Sequence, residues 1–392
     1  MAYPVLCAWA VVGLLGLRTW AGEPAAPVPF TPPAGLTYTN ERIADVPWSI
    51  HVVRWARTND SLTLHSSHAT RTALGLTTLG EQIAASPAAL GLPVAAVNGD
   101  FYQRDQLYAG DPRGLQIVEG ELLSGPSGGA CFWLDATNQP HAGTVQSLFH
   151  VIWPDGTTNA FGLNEERKAD ALVLYSPAAG PSTRTTAGRE FILEAAGAPG
   201  LLPLRVGTTN EARIRELREA GDTPIPADAF VLSAGPKLAG RLPAVAKGAK
   251  VRVVTTTLPA LGGAATAIGG GPWLVRNGRA QKIELPATES YQFSSMLERH
   301  PRTALGWNRR EFFFVLVDGR QKELSLGMTL KELAAYLVKL GCEEALNLDG
   351  GGSATLWCGG AVRNRPCDGR ERPIANALIL TSQAGSATGP RP

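Results

Sequence analysis

The sequence predicts an α+β fold, a strand-rich core of mixed sheets with a few packed helices. Three observations carry that reading. The chain has 44 glycines and 29 prolines in 392 residues, which implies many turns and argues against a helical bundle. Short apolar or alternating runs recur, such as Ile50-His51-Val52-Val53-Arg54-Trp55 and Phe312-Phe313-Phe314-Val315-Leu316-Val317, and read as strands. Two helix-then-strand units stand among them and end alike, in Ala96-Val97-Asn98-Gly99-Asp100 and Ala345-Leu346-Asn347-Leu348-Asp349. This Ala-x-Asn-x-Asp echo suggests a pseudo-symmetric core whose strand ends bring Asp100 and Asp349 into one cleft.

In chain order, residues 1–21 read as a secretory signal. Pro4 to Leu17 is a mostly apolar run too short for a comfortable membrane span, and Thr19-Trp20-Ala21 offers a small-residue cleavage site. A retained N-terminal anchor is the rival reading, and membrane contact is expected only in that case. Residues 22–37 are a Pro/Ala-rich tether and 38–382 a single domain, with 177–228 as a candidate inserted lobe and 383–392 as a disordered tail. Strands are expected from Thr37 to His65, a helix over 70–90, and a buried strand from Val94 to Val97. A hairpin is expected around Glu119-Gly120, a short charged helix over Glu211–Ala220, and an Asn277-Gly278 turn. Asp318-Gly319 also reads as a turn.

The second unit is the more readable. Thr329-Leu330-Lys331-Glu332 fits a capping box. Leu330, Leu333, Leu337 and Leu340 form an apolar stripe at helical spacing, and Gly341 suits the left-handed stop. A buried strand then runs into Asp349-Gly350-Gly351-Gly352-Ser353-Ala354-Thr355.

Bulk properties exclude some functions. The net charge of +2 and the lack of a basic tract give no case for nucleic acid. The scattered histidines and cysteines show no zinc-site spacing. Four cysteines follow the signal, and an even number in an exported chain permits disulfides. Cys358 with Cys367 is the preferred pair, which leaves Cys131 with Cys342.

The chemistry-bearing residues fall into carboxylates, cations and glycine loops. Asp349 sits at a strand end before three glycines whose amides could cradle an anion; the bland alternative is a glycine-rich hairpin. A second triplet, Gly269-Gly270-Gly271, precedes Pro272. Arg302, followed by Thr303, offers a guanidinium fork suited to phosphate, or an ordinary ion pair. His300 is a candidate acid/base or an exposed loop histidine. Asn98 and Asn347 could hold sugar hydroxyls or simply satisfy strand ends. Ser353 lacks a Gly-x-Ser-x-Gly frame, and no Gly-Lys-Ser/Thr follows the glycines, so neither a serine triad nor a Walker loop is present.

Asn347-Leu348-Asp349-Gly350-Gly351-Gly352-Ser353-Ala354-Thr355, Pro301-Arg302-Thr303-Ala304-Leu305-Gly306 and Asn98-Gly99-Asp100-Phe101-Tyr102 together resemble the phosphodiester glycosidase family. The resemblance runs in order from about Asn98 to about Leu380 and extends to Gly270 and Gly271. Asp100 departs from the pattern, because animal members have a small residue there. The resemblance implies an exported hydrolase, secreted or in the cell envelope. It would cut the glycosidic C–O bond of a sugar-1-phosphodiester or phosphate-containing glycan, in envelope or extracellular polysaccharide processing. Asp349 would be the leading carboxylate, with Asp100 and His300 as further catalytic candidates. Arg302, Thr303, Ser353 and the Gly350–Gly352 amides would meet the phosphate. The resemblance implies no definite cofactor and leaves a divalent metal open. Two alternatives stay open: a phosphodiesterase using a divalent metal on Asp100, Asp318 and Asp349, and a non-catalytic glycan-binding protein of the envelope.

Overall fold

The computed structural model of the protein describes residues 32–383 apart from 71, 105–106, 198–199 and 284–292. The expected signal segment, most of the tether and the tail beyond 383 lie outside the described residues.

Two antiparallel sheets share one core. The first has seven strands, in the order Leu36–Ile43, Trp48–Ala56, Glu311–Val317, Arg302–Trp307, Glu344–Asn347, Trp273–Arg276 and Arg279–Ala280. The second has five, in the order Ala361–Val362, Leu356–Cys358, Leu92–Asn98, Asn376–Ser382 and Leu62–His68. Side chains alternate across each strand. Phe312, Phe314 and Leu316 join Val97, Leu378 and Leu380 between the sheets. Phe313, Val315 and Val317 instead face the helix Leu330–Leu340. Apolar residues run unbroken through Phe312–Val317 because both faces are covered.

That helix forms as its sequence dictates. Thr329 and Glu332 make the reciprocal capping box, and Gly341 closes it in the left-handed region at φ 94°. The expected helix over 70–90 is shorter. It spans Leu79–Ala84 behind a Thr78/Glu81 capping box and gives way to one 3₁₀ turn, because Ser86-Pro87 disfavours helical backbone. Its Leu79 packs on Ala96, Ala377 and Ile379, the outer face of the five-stranded sheet. Each Ala-x-Asn-x-Asp strand therefore follows a helix that covers its own sheet.

Residues 177–228 contribute to an eight-stranded sheet with its own core, in which Phe191, Leu193, Ile214 and Leu232 are buried. Another five-stranded sheet links the two cores. Phe132 and Ile268 face the first, and Cys131, Trp133 and Ala267 face the second. The sheets are less mixed than expected: all strand ladders among the described residues are antiparallel except Gly162–Leu163 against Val173–Leu174.

The charged helix expected over Glu211–Ala220 is instead the strand Thr209–Arg218. Its partner Arg189–Ala195 shifts register so that Ile192 pairs with Glu216 and Leu193 with Ile214, leaving Arg215 as an extra residue. This bulge places Ile214 and Leu217, three apart, toward the same core, which mimics a helical spacing. The expected hairpins form, with positive φ at Glu119 and Gly120 and at Asn277 and Gly278.

The expected Cys358–Cys367 disulfide is absent, as is Cys131–Cys342; all four are free thiols. Cys131, Cys342 and Cys358 point into three different apolar clusters. Cys367 lies half-buried beside Asp368 and Arg320. Burial pushes the three core thiols up to about 12, so they are inert at neutral pH.

Candidate active site

The two Asn-x-Asp strand ends meet where the seven- and five-stranded sheets come together. Asn98 joins them. Its Nδ2 donates to the Asp349 carbonyl at 2.7 Å, and its Oδ1 accepts from Thr303 Oγ1 at 2.7 Å and Thr355 N at 3.1 Å. Asp349 N donates to the Gly99 carbonyl at 2.9 Å. Asn347 makes the corresponding tie on the other side, its Nδ2 donating to Gly271 O at 2.8 Å and its carbonyl accepting from Gly271 N at 2.8 Å. Asn98 and Thr303 are thus consumed in holding Asp349 and do not line the cavity, whereas Asn347 and Gly271 do.

A cleft of about 430 Å³ opens over these strand ends. Asp349 lines it, 8% exposed. One carboxylate oxygen accepts from Gly350 N at 2.8 Å. Burial pushes the Asp349 carboxyl above its ordinary range, opposed by Ser353, the Gly350 amide, Arg104 and Arg372. Asp100 lies alongside, beneath the cleft lining, with its carboxyl enclosed by Gly114 and Gly269. Its amide donates to Asn376 Oδ1 at 2.7 Å, and its own Oδ1 accepts from Phe101 N at 2.7 Å. Burial, with a further push from Asp349 against the Phe101 hydrogen bond, raises it to about 7. Asp349 is close enough to raise the cost of ionising Asp100.

The cleft is otherwise cationic. Arg104, Arg113, Arg302, Arg320, Arg372 and His300 all line it. They fall into two overlapping groups, since Asp349 acts on Arg302 as well. Arg104 and Arg372 act on both Asp349 and Tyr102. Arg302 and Arg320 act on His300 and on each other. Arg302 was expected at the phosphate, yet its Nε donates to Met328 O at 2.8 Å and its Nη2 to Ser295 O and Glu298 O. It therefore anchors the helix Phe293–Leu297, whose Ser295 and Met296 wall the cleft. Burial, then Arg320, pushes its guanidinium down to about 10. His300 faces Glu298 through Nε2 at 3.3 Å and takes a hydrogen bond from Arg320 Nε at 3.4 Å. Burial and the two arginines hold it below its ordinary value, so it is neutral at neutral pH.

The glycine triplet has a different use from the one expected. The Gly350 amide is bonded to Asp349 and the Gly351 amide to Pro301 O at 2.9 Å, so neither is open to an anion. Gly351, at φ +60°, lies under the Arg320 guanidinium, 3.2 Å from where a Cβ would stand, and Gly352 lies under Arg372 and Asp368, where a Cβ would collide. The glycines give room for two guanidiniums at the cleft floor.

The proposed metal trio does not assemble. Asp318 is buried elsewhere, accepting from Ser49 Oγ at 2.8 Å and Arg365 N at 2.9 Å and pairing with His51 Nε2 at 2.9 Å. Among the described residues no group of three or more His, Cys, Asp or Glu is placed to hold a metal ion. Sequence reasoning missed Arg104, Arg113, Arg320 and Arg372 as site residues. Only the arginine-rich stretch Arg363–Arg372 hinted at them.

Residues 207–381 match the profile of the phosphodiester glycosidase family. The chain resembles the phosphodiester glycosidases. The match includes Arg302, Arg320, Asp349 and Arg372, while Asn98, Asp100 and Arg104 lie ahead of it. Human N-acetylglucosamine-1-phosphodiester alpha-N-acetylglucosaminidase is 36% identical over 104 residues, 24% of this chain and 20% of the human protein. The alignment thus spans a fifth of that relative. Two solved structures share the fold. A Synechocystis protein superposes with a TM-score of 0.70 at 22% identity, covering 89% of this chain and 62% of that one. A Burkholderia pseudomallei protein described as exported gives 0.65 at 22% identity, covering 86% and 74%.

Proposed function

We propose that the protein is an exported phosphodiester glycosidase. It hydrolyses the glycosidic C–O bond of a sugar-1-phosphodiester in envelope or extracellular polysaccharide, releasing free sugar and a phosphomonoester. The observation that carries this reading is one buried carboxylate, Asp349, in a cleft whose other charged lining residues are arginines. A phosphodiester is anionic before and after C–O cleavage, and its leaving oxygen gains charge in the transition state. Guanidiniums gathered around a buried carboxylate stabilise that charge. Arg104 and Arg372, which act on the Asp349 carboxyl, are assigned to the scissile phosphate. Asp349 faces the anomeric carbon, where positive character develops. Asp349 raises the neighbouring Asp100, which would stay protonated beside it, and Arg302 and His300 complete the lining. The name of the human relative supports N-acetylglucosamine as the first sugar to try.

The test is hydrolysis of N-acetylglucosamine-1-phospho-O-methyl ester in oxygen-18 water. Label in the free sugar is expected. Label in the phosphate product, with sugar-1-phosphate released, means P–O cleavage and overturns the reading. Asp349→Asn is expected to lower turnover at least about a hundredfold, the scale of one lost electrostatic contact.

A further inference from the structure

Arg302 and Arg320, beside the neutral His300, bring two guanidiniums to the cleft beyond Arg104 and Arg372, which are assigned to the scissile phosphate. Arg302 is 6% exposed and donates hydrogen bonds to three backbone carbonyls. Among the described residues no carboxylate lies within ion-pair distance of Arg320, whose neighbours are His300 Nδ1 at 3.4 Å and Cys367 Sγ at 3.9 Å. Arg320 is exposed in the cleft; Asp368 acts on it from beyond ion-pair distance and is already paired with Arg372. Arg302 and Arg320 repel each other, and an anion placed between them relieves that cost. A second observation concerns the backbone. Arg320 sits at φ +60°, in the left-handed region that branched and long residues rarely enter. That turn aims its side chain across Gly351, which has no Cβ to block it. The strained arginine and the bare glycine are complementary, and both serve to place one guanidinium in the cleft.

We infer that Arg320, backed by His300 and Arg302, forms a second anion subsite that takes a further phosphate group on the same substrate. The inference rests on the glycosidase reading for the position of the first phosphate, beside Arg104 and Arg372. It narrows the substrate class to sugar-1-phosphodiesters whose aglycone carries another phosphate. That phosphate is either the next link of a repeating sugar-phosphate chain or a terminal phosphomonoester.

Binding decides this independently of turnover. The probes are C-glycosidic phosphonate analogues of the N-acetylglucosamine diester, which cannot be hydrolysed. One is the methyl ester, one the propyl ester, one the ester of 2-hydroxyethyl phosphate, and one the same with that phosphate methyl-capped. Calorimetry is done on the whole protein near physiological salt. The phosphate-bearing analogues are expected to bind at least about tenfold tighter than the methyl and propyl esters, the scale of one charge-assisted hydrogen bond. Arg320→Ala is expected to abolish the difference and Arg320→Lys to keep part of it. Tighter binding of the capped analogue points to an internal link, and of the uncapped one to a chain end. Equal affinities, an advantage that survives Arg320→Ala, or no binding of any analogue overturns the inference. The wild-type comparison stands even if Arg320→Ala does not fold. Tight binding of the analogues without turnover of the parent diester would sink the glycosidase reading and leave the subsite.

Discussion

At the residue scale the protein depends on two carboxyls that burial treats differently from solvent. Asp100 is raised from 3.8 to about 7. Between those values the folded protein keeps a proton that the unfolded chain has released, so stability falls as pH rises through that window. Above pH 7 the folded state carries the full cost of the buried charge. Asp100→Asn removes that cost and should raise the melting temperature at pH 8, with the gain shrinking toward pH 4. A melting series across that range checks it; an equal change at all pH values would mean the carboxyl is not displaced. The position of Asp349 at a buried strand end was readable from its place between an apolar run and three glycines. The role of Arg302 was not. Nothing in Pro301-Arg302-Thr303 says that three carbonyls, two of them from the segment just upstream, would be waiting for its guanidinium.

Elements show why local patterns succeed or mislead. The helix Leu330–Leu340 was legible because its cap, stripe and stop agree. The strand Thr209–Arg218 was not, because a bulge at Arg215 changed its period without leaving a mark in composition. Next to it in the sheet, Glu190 is wholly buried and accepts hydrogen bonds from Ser233, Thr185, Thr183 and the Thr223 amide. Burial pushes its carboxyl up, but these donors outweigh that and hold it below its ordinary 4.5. Its ionised form therefore stabilises the sheet above pH 4.5, and the contribution is lost as pH falls through the depressed value. Glu190→Gln should melt lower than wild type at pH 7, and the gap should narrow below about pH 4, the unperturbed carboxylate range. A gap that stays constant would assign the loss to shape alone.

For the whole molecule, the site exists because two sheets end at one place. Asn98 makes that junction, with bonds to Asp349, Thr303 and Thr355. Asn98→Ala leaves several buried groups without partners, each costing about 1–3 kcal/mol. It should lower both stability and turnover, while Asn347→Ala, on the cleft side of the junction, should affect turnover more than stability. Denaturant melts beside kinetics on the same preparations separate the two; a stable, active Asn98→Ala would remove the junction from the account. The arginine lining belongs to this scale as well. Arg104, Arg320 and Arg372 come from segments more than 200 residues apart at the extremes, and each alone reads as a surface charge.

The sequence by itself determined the strand-rich core, the capped helices and the Asn-x-Asp strand ends. These follow from periodicity and turn chemistry, which act over a few residues. Only the tertiary structure decided which cations gather around Asp349, that Arg302 braces a helix, that the glycines make room for guanidiniums, and that the cysteines lie apart. Those outcomes depend on distances between remote segments, and such distances are set by sheet packing, which leaves no local trace in the chain.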